Sequence, residues 1–199
     1  MSFLAGFYTF VIELSNVERG VYEQVKTKCS RHVGEDLEFF LARHVAFAHS
    51  YVPNLKLLAD ASDARLPIFK RTNASGEDDI WGFLGNVDAR AIRHSRKSAR
   101  HIKTAVYFYS QEQLHKFCRD LRGATENWVA GVEFFFIDPD LLDWLCGHEA
   151  TRTRWDVTIT DNSTMFLTVE DDSFCGEIVA LDIWEEYQRS LRKDLQVQA

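Results

Sequence analysis

Residues 78–109 read DDIWGFLGNVDARAIRHSRKSARHIKTAVYFY, and this stretch decides the fold class. After two aspartates its first seven residues turn apolar and stop at Gly85, which predicts a short strand over 78–84. Asn86 stands where a helix N-cap belongs and Asp88 falls in the first turn, so a helix is expected from residue 87 to about 101. Over 103–109, KTAVYFY, the pattern returns to that of a strand. Strand, helix and strand in this order call for helices packed on a sheet.

The flanks continue the alternation. Upstream, 5–14 and 21–29 read as strands joined by a polar turn into an opening hairpin. A helix is expected over 34–50, where Leu37, Phe40, Leu41, Val45 and Ala48 recur at helical spacing and Pro53 follows the stop. An extended piece is expected over 55–59 and a glycine-bearing loop over 72–77. Downstream, helices are expected over 111–121 and 139–147, and strands over 131–137, 154–160, 164–169 and 176–184. The strand 131–137, GVEFFFI, has almost no polar break, as in strands buried on both faces. The expectation is an α/β (mixed α+β) fold: a central mixed sheet flanked by helices, an N-terminal hairpin and C-terminal antiparallel strands. One unit should span 1–185, with 186–199 as a polar tail or short helix.

Composition narrows the class. An apolar fraction of 46% and an aromatic fraction of 13% supply a packed interior for 199 residues and argue against disorder. No Gly/Ser/Pro tract offers a linker, and there is no internal repeat. Cys29, Cys118, Cys146 and Cys175 form no Cys-x-x-Cys pair, against a zinc ribbon or thiol redox motif. Residues 1–14 are apolar but lack the positive start and the cleavage site of a signal peptide, and no run is long enough to span a membrane. The expected setting is cytoplasmic.

Charge is unevenly spread. On a helix, Arg90, Arg93, His94, Arg96, Lys97, Arg100 and Lys103 share one arc, while Val87, Ala91, Ile92 and Ile102 share the other. Residues 90–103 carry +6 with no acid among them, which leaves −13 on the rest of a chain of net charge −7. Such a face suits a phosphate backbone or an acidic protein. The plainer alternative is a solvated face balanced by Glu77, Asp78 and Asp79.

Two acidic groups are candidates for metal chemistry. Glu35 and Glu38 open the first long helix, and Asp78 and Asp79 start a central strand. Mg²⁺ takes oxygen ligands, so helix and strand carboxylates that converge can hold it and activate water. The alternative sets Glu35 and Asp36 against the positive helix N-terminus and leaves the aspartates as strand-edge solvation. His44 and His49 are five apart and so lack the shared face of a zinc pair. For them, and for the Cys146-Gly147-His148-Glu149 run, a structural role is expected.

Taken together the segments resemble the YaeQ family, bacterial proteins whose fold is a variant of the PD-(D/E)XK, restriction-endonuclease-like nucleases. The resemblance rests on Arg31-His32, on the Glu35–Glu38 segment with Arg43 and Ala46, and on Asp79-Ile80-Trp81 with Leu84-Gly85. It continues through Asp88, Arg90 and Ile92 to Arg152-Thr153 and Val157-Thr158-Ile159-Thr160-Asp161. It implies that fold, with catalytic candidates at Glu35, Glu38 and Asp79 and metal candidates at Glu38, Asp78 and Asp79. The chain departs from the family where chemistry is decided. An acid after the proline is replaced by Ile68, the glutamate of Trp-Ile-Glu-Leu-Gly by Phe83, and a helix lysine by Arg93 or His94. The expectation is a catalytically degenerate binding protein that uses the basic helix and needs no cofactor. Alternatives are a Mg²⁺-dependent nuclease with a rearranged site, and a protein-interaction scaffold.

Overall fold

The computed structural model describes residues 6–31, 34–58, 63, 65–98, 101–121, 129 and 131–197, without the side chains of 94–98 and 193–197. Among these residues lie ten strands and five helices. In chain order they are β1 (Phe7–Asn16), β2 (Val21–Ser30), α1 (Leu37–Ser50), β3 (Lys56–Leu57), β4 (Phe69–Thr72) and β5 (Asp78–Leu84). Then come α2 (Ala89–Ser98), β6 (Lys103–Phe108), α3 (Gln111–Asp120), β7 (Val132–Ile137) and α4 (Pro139–Cys146). The last are β8 (Arg152–Thr160), β9 (Thr164–Val169), β10 (Asp172–Ala180) and α5 (Ile183–Val197).

All the strands join one mixed sheet in the order β2-β1-β8-β9-β10-β7-β6-β5-β4-β3. Pairing is parallel at β1–β8, β5–β6 and β6–β7 and antiparallel elsewhere. The mixed sheet and the opening hairpin agree with the sequence reading. The hairpin closes through residues 17–20, where Gly20 takes the positive φ that the turn requires.

Two apolar clusters hold the layers. The first lies between α1 and α4 and one face of the sheet, and includes Phe10, Ile12, Trp155, Val157, Leu141 and Leu145. The second lies on the other face, over β5–β7 only, where α2, α3 and α5 contribute Ile92, Phe117 and Ile183. β6 serves both: Ala105 and Tyr107 enter the first cluster, Val106 and Phe108 the second. That is why its sequence is apolar without alternation.

Several boundaries differ from expectation, each for a local reason. α1 begins at Leu37 because Asp36 caps it, accepting a hydrogen bond from Phe39 N at 2.6 Å. α2 starts at Ala89, not 87: Asp88 accepts from Arg90 N at 2.8 Å, while Asn86 accepts from Lys116 Nζ. β4 was not foreseen. The strand expected over 176–184 ends at Ala180. Asp182 accepts from the amides of Trp184 and Glu185 at 3.0 Å, and α5 follows with Ile183, Tyr187 and Leu191 in the second cluster.

Gly82 marks a tight spot in β5. A Cβ there would stand 2.0–2.3 Å from ring atoms of Phe69, which covers its backbone from the paired strand β4. A side chain cannot enter without displacing a fully buried ring. Gly82→Ala is expected to destabilise the protein by about 2–3 kcal/mol or more, as overpacking does. Urea unfolding checks this, and an unchanged midpoint would mean that the Phe69 ring moves freely.

Candidate functional site

The carboxylates around the start of α1 part company. Glu35 is nearly buried and faces Arg43 at 3.7 Å. The Arg43 side chain is wholly buried, with its guanidinium 5.1 Å from the centroid of the Phe40 ring. A buried cation of this kind demands a carboxylate, so Glu35 is held inward. Glu38 lies half-buried. Burial pushes its carboxyl above the ordinary range, and the negative charges of Asp36 and of Asp143 on α4 push the same way.

The β5 aspartates are engaged by the strand beside them. Asp79 takes both arms of Arg71, at 2.9 and 2.7 Å, and that pairing holds its carboxyl low. Asp78 accepts from Lys70 Nζ at 3.0 Å, Trp81 Nε1 at 3.0 Å and Thr72 Oγ1 at 2.8 Å. Burial opposes its ionisation, but these hydrogen bonds prevail and its carboxyl also sits low. An irregularity in the β4–β5 register between Arg71 and Thr72 accommodates both pairs.

The expected metal group does not assemble: among the described residues no three His, Cys, Asp or Glu side chains converge. Asp78 and Asp79 turn to β4, whereas Glu38 lies among the charges of α1 and α4. Two of the three positions where the resemblance implies another residue are apolar and closed. Phe83 is 1% exposed in the second cluster, and Ile68 is buried in the first, so they lie in separate cores. Lys70 and Arg71 are what the sequence reading missed. The signal was the short alternation Phe69-Lys70-Arg71-Thr72 beside an acidic strand start.

On the helical side, Ile92 and Ala89 anchor α2 while Arg90 and Arg93 are exposed. Lys103 is also exposed, at the start of β6. The side chains of His94, Arg96 and Lys97, and all of Arg100, lie outside the described residues. Arg90 lines a groove of about 490 Å³ between α2 and α3, with Lys116 and Arg119 from α3 and with Asp88 and Asp120. Asp78 and Asp79, which could have balanced this face, are already paired to β4.

The YaeQ protein family model matches residues 1–176. Two solved structures share the fold. The crystal structure of a YaeQ protein from Pseudomonas syringae superposes with a TM-score of 0.75 at 23% identity, covering 90% of this chain and 97% of that one. A YaeQ protein from Xanthomonas axonopodis pv. citri superposes with a TM-score of 0.76 at 20% identity, covering 88% and 97%. At such identities the likeness concerns the fold alone. No curated protein matches the sequence. None of the described helices is long and apolar enough to cross a membrane.

The expected structural role of the α1 histidines agrees with their surroundings. His49 Nε2 lies 3.1 Å from the Asn162 carbonyl and therefore donates, which leaves Nδ1 to accept from Tyr107 Oη at 2.7 Å. The Tyr107 oxygen accepts in turn from Ser50 Oγ at 2.6 Å. By the same logic His44 donates from Nδ1 to the Phe40 carbonyl, and Nε2 accepts from the Cys29 thiol at 3.2 Å. Burial lowers His44 to about 3 and His49 to about 4. Both fold neutral, whereas unfolded they titrate near 6.5. Their contribution is fully present above that pH and is lost as pH falls from about 6.5 toward 4, at roughly 1.4 kcal/mol per unit for each. Urea unfolding should therefore show stability dropping between pH 7 and pH 5. A flat or rising profile would mean that the two rings take up protons in the fold.

Proposed function

This chain belongs to the YaeQ family, and from that premise we propose that it binds nucleic-acid phosphates without cleaving them, on a variant of the restriction-endonuclease-like, PD-(D/E)XK fold. The binding half of the reading is carried by the α2–α3 groove. Arg90 and Arg119 line it, exposed and without an ion-pair partner among the described residues, Lys116 adds a third cation, and Arg93 is exposed about one turn further along α2. Cations presented by two helices meet phosphates regardless of base sequence, which suits the backbone of a duplex. Among the described residues no aromatic side chain lines this groove to stack an unpaired base.

The non-catalytic half is supported at the residues that the family resemblance singles out. The position of the family's glutamate holds Phe83, closed in the core, and a buried ring offers Mg²⁺ no oxygen. The remaining acids Asp78 and Asp79 are charge-balanced by Lys70 and Arg71, so a cation there would have to displace two ion pairs. A Mg²⁺-dependent nuclease would need Glu35 or Glu38 to join them.

The test mixes the protein with fluorescent duplex DNA and RNA in Mg²⁺, reads anisotropy against salt and runs the products on a gel. Salt-sensitive binding without cleavage is expected, and Arg90→Ala with Arg93→Ala should weaken it about tenfold or more. Cleavage that EDTA abolishes would replace this reading with the nuclease. Absence of binding would leave a protein-interaction scaffold.

A further inference from the structure

At the opposite end of the sheet one face is uncovered among the described residues, and its side chains form a coherent pattern. In β1, Tyr8, Phe10, Ile12 and Leu14 point into the first cluster, so Phe7, Thr9, Val11 and Glu13 point the other way. In β8, Trp155, Val157 and Ile159 point inward, and Arg152, Arg154 and Asp156 outward. In β2, Thr27 and Cys29 are buried, whereas Lys26 and Lys28 are exposed. No residue of β1, β2, β8 or β9 belongs to the second cluster. The register completes the picture: Thr9 pairs with Lys28 on one side and Arg152 on the other, and Val11 with Lys26 and Arg154. Two cation columns thus flank the floor of β1, roughly 10 Å apart at ordinary strand spacing. They line a shallow groove of about 480 Å³.

Three of the four cations have no ion-pair partner among the described residues. Arg154 alone is engaged, by Glu13 at 3.3 Å and Asp156 at 3.5 Å, and these two acids close the groove at that end. At the other end stands Phe7, 81% exposed, next on the same face of β1 after Thr9. Lysines on an edge strand also discourage sheet-to-sheet pairing, which accounts for Lys26 and Lys28 on β2. That explanation does not reach Arg152 and Arg154, because β8 is an interior strand. Nor does it account for a large aromatic ring left in solvent.

We propose that this open face is a second nucleic-acid site, specific for single strands: Lys26, Lys28 and Arg152 hold phosphates while Phe7 stacks an unpaired base. A sheet face that carries an exposed ring beside cations is how single strands are commonly gripped, because every base has a π-face and duplex bases are not available to stack. The site is independent of the α2–α3 groove, which among the described residues has cations but no ring.

The test is anisotropy of a labelled single-stranded oligothymidylate of about 12 nucleotides, a length within the usual site size. Binding should weaken with salt at a log–log slope of about −2, as for three neutralised phosphates on a single strand. Lys28→Glu with Arg152→Glu should lower affinity at least about tenfold, and Phe7→Ala about fivefold or more. Arg90→Ala with Arg93→Ala should cost the single strand much less than the charge reversals do, and the charge reversals much less for the duplex than Arg90→Ala with Arg93→Ala, so that failure here and failure of the duplex reading are separable. All these side chains are exposed, and circular dichroism checks that each variant folds. No binding, or binding indifferent to the charge reversals, overturns the proposal. Equal competition by polyglutamate overturns it in favour of an acidic protein partner, and insensitivity to Phe7→Ala removes the single-strand specificity.

Discussion

The architecture depends on β10 dividing its edges between two half-sheets. Residues Asp172–Glu177 pair with β9, and Ile178, Val179 and Ala180 pair with Ile137, Phe136 and Phe135 of β7. Hydrogen bonds from Asp138 N to the Glu177 carbonyl and from Leu181 N to the Phe134 carbonyl extend this short junction. The two halves become one sheet, and one apolar face can run beneath α1 and α4 from β1 to β6. Covering the second face is a different matter. Among the described residues α2, α3 and α5 pack over β5–β7 and leave the β2-β1-β8-β9 end open. Both candidate binding surfaces follow from that asymmetry, one on the covering helices and one on bare sheet.

The charges of the core follow the same logic of shelter. α1 carries Arg43, His44 and His49 on buried positions. Each is matched to the chemistry its surroundings allow. The arginine keeps its charge and draws Glu35 inward, whereas the histidines give theirs up and become neutral links between backbone carbonyls, a thiol and a tyrosine. Carboxylates that might have served a metal are drawn to cations in the same way. Asp79 forms a two-armed pair with Arg71, a geometry in which the fork of the guanidinium matches the carboxylate.

Much of the fold was legible because its signals are local. The apolar run of β5, the pattern of α1 and the sparse polar breaks of β6 and β7 identify elements within a few residues of their bounds. The failures were also local in cause. β4 is four residues long, too short for its alternation to stand out, and the start of α5, whose later residues were read as a tail or short helix, was obscured because β10 runs into it with only two residues between. The site was less legible. Phe83 could be read directly at the position where the resemblance implies a glutamate, but not its burial away from Ile68 in another cluster. Nor could the pairing of Asp78 and Asp79 be read, since their partners lie eight residues earlier on a strand that had not been recognised.

What the sequence by itself determined is the class of the chain: alternating elements on a mixed sheet, a family likeness carried by spaced residues, and a cationic helix on an acidic molecule. These are properties of neighbours along the chain, set by periodicity and capping. Only the tertiary structure decided which charges remain available. Lys26, Lys28 and Arg152 are far apart in sequence and unremarkable one by one. They become a groove because β1 pairs with β2 on one side and, through a parallel register, with β8 on the other. Charges act through space and not along the chain, so no reading of local pattern can balance them before the strands are in register.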